Sequence, residues 1–257
     1  MKQLFTLLFF LTVLIFSCKK ETTPKESSTP SNSDLPALFT KRVLLEDYTK
    51  HCQFCVPVNA LVDSLRNSYP NRTLIPVLHG AYHSTQTSFY DTMNVYFPFA
   101  TFPKGMVNRV TGTNSGSEDG NYILSKENWA TNIDSELLKT ADFGVKINTT
   151  LSGNSMDISV FAAGFKSDEN TRLTVFIVED NTYYRTVREV ITNNKGYRFA
   201  LTKDEIREYL FFGVDLSSYS VSKVSIVAFL HYFDATTNKF EVLNVNETKA
   251  GNSVDWN

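Results

Sequence analysis

The chain has 257 residues, enough for one large domain or two ordinary ones. Its 25 Lys and Arg against 27 Asp and Glu leave a net charge of -2. With no long basic run, that balance gives no electrostatic footprint for nucleic acid and no anionic-lipid patch.

The first residues read as a processing segment: Lys2 supplies the charge, Leu4 to Phe16 an apolar run, and Ser17 a small residue before Cys18. The run Leu14-Ile15-Phe16-Ser17-Cys18 resembles a bacterial lipobox, which implies a signal peptide over 1–17 and a lipidated Cys18 as the mature N-terminus. A plain signal peptide or an uncleaved anchor are the alternatives, although the run is short for a bilayer span. Residues 19–36 are Lys, Glu, Thr, Ser, Pro and Asn with almost no apolar side chain, so 18–36 is expected to be a disordered tether. Such a segment has a mean reach of roughly 25 Å and a full extension of about 60 Å.

From 37 to 141 short apolar runs alternate with helical stretches. Val43-Leu44-Leu45 predicts a strand, Val58, Leu61, Val62 and Leu65 recur at helical spacing, and Leu74 to Leu78 forms a second apolar run. This strand-helix-strand order favours a parallel sheet under a crossover helix. Met106 to Val110 with the glycine-rich turn region behind it suggests a hairpin, and Ser125 to Leu138 a helix.

After Asp142 the period becomes two. Met156, Ile158, Val160 and Ala162 alternate with polar residues, Leu173 to Val178 and Val224 to Leu230 are denser runs, and Phe240 and Val242 alternate again. Turn-rich segments at Ser152-Gly153-Asn154 and Asn193 to Gly196 separate them. An antiparallel sandwich of about seven strands over 142–257 is expected, interrupted by a short helix near Thr202 to Tyr209.

The chemistry-bearing motif is Cys52-Gln53-Phe54-Cys55, placed between the first predicted strand and its helix. A thiolate at a helix N-terminus faces unsatisfied N–H groups and the positive end of the dipole, which lower its pKa, so Cys52 is the expected attacking sulfur. Cys55, about one turn on, can displace a mixed disulfide formed there. Lipidation of Cys18 would leave this pair with no spare thiol, and an oxidising compartment permits its disulfide. A protonated His51 would add to thiolate stabilisation.

Taken together, Val43 to Thr49, Cys52-Gln53-Phe54-Cys55 and Phe102-Pro103-Lys104-Gly105-Met106-Val107-Asn108-Arg109 resemble the thioredoxin-like lipoproteins of the twenty-eight-kilodalton outer-membrane protein family. The resemblance runs from about Arg42 to Val227-Ala228-Phe229. It implies an α/β thioredoxin-like domain followed by an all-β immunoglobulin-like sandwich. It also implies that Pro103 is a cis-proline beside the cysteine pair, and that Phe102 and Phe54 meet a substrate strand. Glu46, six residues before Cys52, stands where thioredoxins often hold a buried acid that manages the proton of the second cysteine. Alternation places it on one face with Leu44 and Tyr48, whereas a solvated strand carboxylate is the plainer reading. The aromatic residue and Gly-Pro dipeptide of efficient thioredoxins are absent.

Three functional readings follow. One is a lipid-anchored outer-membrane lipoprotein of the cell envelope, facing the periplasm or the surface, with a binding or interaction role and the cysteine pair as a disulfide. The second is a thiol-disulfide oxidoreductase acting on envelope proteins and recharged by a redox partner, with no bound cofactor. The third takes Cys52, Cys55, His79 and His83 as zinc ligands, across a linker longer than the finger pattern. The aromatic stretch Tyr82, Phe89, Tyr90, Tyr96, Phe97 and Phe99 reads as core packing before peptide groove. His231, in an apolar run, reads as a packed or edge-strand residue.

Overall fold

The computed structural model describes residues 24–28, 34–49, 58–79, 86–111, 122–180 and 185–257. Cys18, Cys52, Phe54 and Cys55 lie outside the described residues. The N-terminal half holds β1 (Lys25–Ser28), β2 (Val43–Thr49), α1 (Val58–Ser68), β3 (Thr73–Leu74), β4 (Val77–His79), α2 (Ser88–Tyr96), β5 (Lys104–Val107) and α3 (Trp129–Leu137). The C-terminal half follows as β6 (Phe143–Ser152), β7 (Ser155–Gly164), β8 (Asp168–Asp180), β9 (Arg185–Val190), β10 (Tyr197–Leu201), β11 (Ile206–Asp215), β12 (Val224–His231), β13 (Val242–Lys249) and β14 (Ser253–Val254).

Two sheets organise these strands. The smaller runs β1-β11-β7-β6-β14, and the larger runs β13-β12-β8-β9-β4-β2-β3, with β10 on β8 and β5 on β2. β9 and β10 share one edge of the long β8, while β12 runs along the other. β3 and β4 in the same way share one edge of β2, both parallel to it, and β5 is antiparallel on the other. The halves meet where Val77 of β4 pairs with Thr186 of β9.

Burial explains the dense apolar runs. Leu173, Val175 and Ile177 of β8 face β6 and β7 across the sandwich core, with Ile226, Ala228 and Leu230 of β12. Phe176 and Val178, with Val227 and Phe229, turn the other way into a second core under α2. A sheet covered on both faces needs apolar residues at every position rather than every second one. β2 is likewise buried along its whole length: Leu44 and Tyr48 join the α2 core, and Val43 and Leu45 pack on Val58, Val62 and Leu65 of α1 and Trp129 and Ile133 of α3.

The expected α/β thioredoxin-like domain followed by a separate sandwich is corrected. A strand-helix-strand unit does form at β2-α1-β3/β4, but its parallel strands are two and three residues long. Its sheet continues into β9, β8, β12 and β13 of the sandwich instead of closing on its own strands, so β-structure dominates the molecule. The apolar periods of 37–141 report local elements and carry no information about which strands complete the sheet.

Three further differences have local causes. Lys25–Ser28, within the expected tether, adds as β1 to the edge of β11, because backbone pairing to an open edge needs no apolar side chain. The helix expected over Thr202 to Tyr209 is instead a turn followed by the start of β11. Ile206 packs on the outer face with Phe39, and Tyr209 in the sandwich core, so their spacing of three mimics a helical period. α2, which no sequence period announced, begins at Thr87, whose hydroxyl accepts from Tyr90 N at 3.3 Å, and buries Phe89, Tyr90 and Met93.

Candidate functional site

β2 is the element that positions the site, because its pleat sends two adjacent carboxylates to opposite cores. Glu46 points with Leu44 and Tyr48 towards α2, and Asp47 towards α1. Both are buried. A charge in either place must be matched or neutralised.

Glu46 is matched. Arg109 Nε and Nη2 donate to its two carboxylate oxygens at 2.7 and 2.8 Å, a fork pair in which both side chains are fully enclosed. Arg109 is aimed there by a turn just past β5 in which Asn108 and Arg109 adopt positive φ, 47° and 51°. Asn108 holds that turn. Its Oδ1 accepts from Leu44 N at 2.9 Å, its Nδ2 donates to Glu136 Oε2 at 2.9 Å, and its carbonyl accepts from Val242 N at 2.8 Å. The guanidinium also lies over the rings of Phe229 and Phe89, 5.2 and 5.7 Å from their centroids. Burial opposes the Arg109 charge, yet Glu46 outweighs it and its pKa moves up.

His231 of β12 completes the cluster, with Nδ1 3.3 Å from Arg109 Nη1. The ring lies 2.8 Å from the Tyr232 carbonyl at Nδ1 and 2.8 Å from the Thr174 hydroxyl at Nε2. Those partners suit a neutral ring that donates from Nδ1 and accepts at Nε2. Burial first and Arg109 second hold its pKa well below the usual histidine range. The loop before β10 closes over it at Gly196, whose φ is +79° and where a Cβ would stand 2.6 Å from His231 Nε2. Burial, then the Glu46 carboxylate, push the Tyr48 hydroxyl well up.

Asp47 is not matched. Its Oδ1 has no hydrogen-bond partner, and burial pushes its carboxyl up to about 7 against the pull of Arg66 on α1. It therefore titrates near neutral pH while its neighbour is locked in an ion pair.

The sequence-derived residues divide accordingly. Phe102–Pro103 is a cis peptide, and the pairing of Tyr48 with Lys104 puts it beside the C-terminal end of β2, where the chain runs towards Cys52 and Cys55. Phe102 packs half-buried against the α2 core, with Phe99. Glu46 is enclosed rather than solvated. Phe89, Tyr90, Phe97 and Phe99 are core residues, and His231 lies buried inside the larger sheet. The zinc ligands Cys52, Cys55 and His83 lie outside the described residues, as does the side chain of His79. Among the described residues no group of three or more His, Cys, Asp or Glu side chains is placed to hold a metal ion. Asp47, Arg109 and Thr174 were not singled out from the sequence, although an acid pair inside an apolar strand signals a buried partner.

This geometry defines a mixed α/β layer grafted on a β-sandwich, with a buried ionic cluster where they join. No protein-family model matches the chain, and no curated protein matches it. Among solved structures it is similar to HBP35 of Porphyromonas gingivalis, with a TM-score of 0.63 at 15% identity, covering 82% of this chain and 76% of that one. A structural-genomics target protein from Agrobacterium tumefaciens gives a TM-score of 0.55 at 12% identity, covering 85% and 97%. These two likenesses show the fold. A domain of the outer membrane lipoprotein Omp28 from Porphyromonas gingivalis also matches at 19% identity over 43% of this chain and 89% of that domain, but its TM-score of 0.31 carries no argument about the fold. None of the matches identifies a thioredoxin-like family.

Proposed function

We propose that the chain is a lipid-anchored lipoprotein of the cell envelope, held by Cys18, with a binding or interaction role and Cys52–Cys55 closed as a disulfide. The anchor is supported by the lipobox-like run ending at Cys18 and the polar segment behind it. No helix among the described residues is long and apolar enough to cross a membrane. The observation that carries the binding role over turnover is the fate of Glu46. The carboxylate expected to manage a cysteine proton is consumed by Arg109 in a closed core pocket.

Asp47 supports a second reading, thiol-disulfide exchange on envelope proteins with Cys52 attacking and Cys55 resolving. Its carboxyl, up to about 7, sits on the α1 side of β2 and could exchange a proton at neutral pH. Envelope fractions carrying Cys55→Ser, run on non-reducing gels with Cys52→Ser as control, separate the two readings. No adducts and a wild-type pair that resists mild reductant support the binding role, and discrete adducts lost in the control support exchange. Cys18→Ser should release the protein from membranes, and retention would sink the anchor.

A further inference from the structure

A cleft of about 380 Å³ opens where α1, β3, β9 and β13 converge. Arg42, Arg66, Arg185 and Lys249 line it against the single carboxylate of Glu247, with Leu74 and Val254 as apolar wall. The four cations are not equivalent. Arg185 is held by Asp180 at 2.8 Å and by both oxygens of Glu247, and Lys249 is paired with Asp180. Arg42 and Arg66 are left under-compensated.

Arg42 spends its Nη1 on the Asn246 side-chain oxygen, and its Nε is buried with no partner. Arg66 donates from Nη2 to the Ile75 carbonyl at 2.8 Å and reaches the exposed Asp63 only at 3.4 Å, and its Nε is also buried and unpartnered. Between them Thr73, 8% exposed, lines the cleft with a buried hydroxyl that has no partner. Buried donors left in this state cost free energy unless an acceptor enters. Like charges crowd the same place. Burial and then Arg185 lower Arg66 to about 10, and burial and then Arg72 lower Arg42.

We propose that this cleft binds a small phosphate monoester, its phosphate seated on the Arg42 and Arg66 guanidiniums and the Thr73 hydroxyl, whose buried donors turn out from the cleft wall to meet it, and its organic body against Leu74 and Val254. Guanidinium edges match phosphate oxygens in number and charge. The donors come from the segment before β2, from α1 and from β3, which suits a tetrahedral anion better than a planar carboxylate. The volume exceeds that of a bare anion and falls at the lower end of small-ligand sites. This site is independent of the cysteine pair and of the lipid anchor.

The test is calorimetric titration of the full chain at constant ionic strength with inorganic phosphate, phenyl phosphate and acetate. Saturable phosphate binding is expected, tighter for phenyl phosphate and at least roughly tenfold weaker for acetate. Arg66→Gln and Arg42→Gln should each weaken phosphate by roughly tenfold or more. Thr73→Val, which keeps shape and charge and so keeps the fold, should weaken it by roughly three- to tenfold. No saturable phosphate signal, acetate binding as tightly as phosphate, or Thr73→Val within twofold of the parent would overturn the site. Phenyl phosphate weaker than inorganic phosphate would overturn the monoester assignment.

Discussion

Two regions of this molecule bury arginines, and they do so in opposite ways. Around Arg109 the charges are matched: a carboxylate fork holds the guanidinium, two aromatic faces flank it, and a neutral His231 is capped by Thr174, although the Tyr48 hydroxyl has no partner. Around Arg66 and Arg42 donors are left over and cations crowd one another. A closed account marks a structural element, and an open one marks a place for something else to bind. The same contrast appears one residue apart on β2, where Glu46 is paired and Asp47 is not.

The comparison breaks most sharply at its closed end. Arg109→Leu leaves Glu46 buried without a partner and should cost about 3–5 kcal/mol in urea unfolding, while the double variant with Glu46→Leu should recover much of that. A loss under about 1 kcal/mol for the single change would contradict the closed account. Asp47 should dominate the pH dependence. Its carboxyl holds a proton more tightly when folded than when unfolded, so the native state binds more protons between about pH 4 and 7 and stability falls as pH rises through that window. The total is up to roughly 4 kcal/mol for a shift from 3.8 to about 7. Asp47→Asn should flatten the slope, and an unchanged slope would show that another group causes it.

Gly105 of β5 offers a smaller effect. A Cβ there would stand 2.9 Å from Leu45 and Trp129, so Gly105→Ala should cost about 1–3 kcal/mol by thermal or urea unfolding. Smallest is the open end. Arg66→Gln gives up the bond to the Ile75 carbonyl and should cost about 0.5–1.5 kcal/mol in urea unfolding, while phosphate affinity collapses. Equal losses of stability and binding would mean that Arg66 is as structural as Arg109.

Much of the local structure was legible. Val58, Val62 and Leu65 gave α1, alternation gave β7, and the turn at Asn193 to Gly196 lies between β9 and β10 as read. The face of Glu46 followed from Leu44 and Tyr48. Its partner did not, because Arg109 reaches it through a turn of two left-handed residues that no period encodes. Sheet completion was equally hidden: Val77 meets Thr186 across more than a hundred residues, and nothing in either segment names the other. The cleft could not be seen because Arg42, Arg66, Thr73 and Lys249 converge only after α1 and β13 pack around β2.

The strand β1 has one more consequence. It covers the edge of β11 with Lys25, Glu26 and two serines, pinned by an ion pair between Glu26 and Arg207. Without it, β11 would present a row of unpaired N–H and C=O groups beside exposed Phe212. A chain shortened to begin at Asp34 should therefore keep its fold yet self-associate through β11. What reads in the sequence as a mere leash then serves as the guard that keeps neighbouring copies apart.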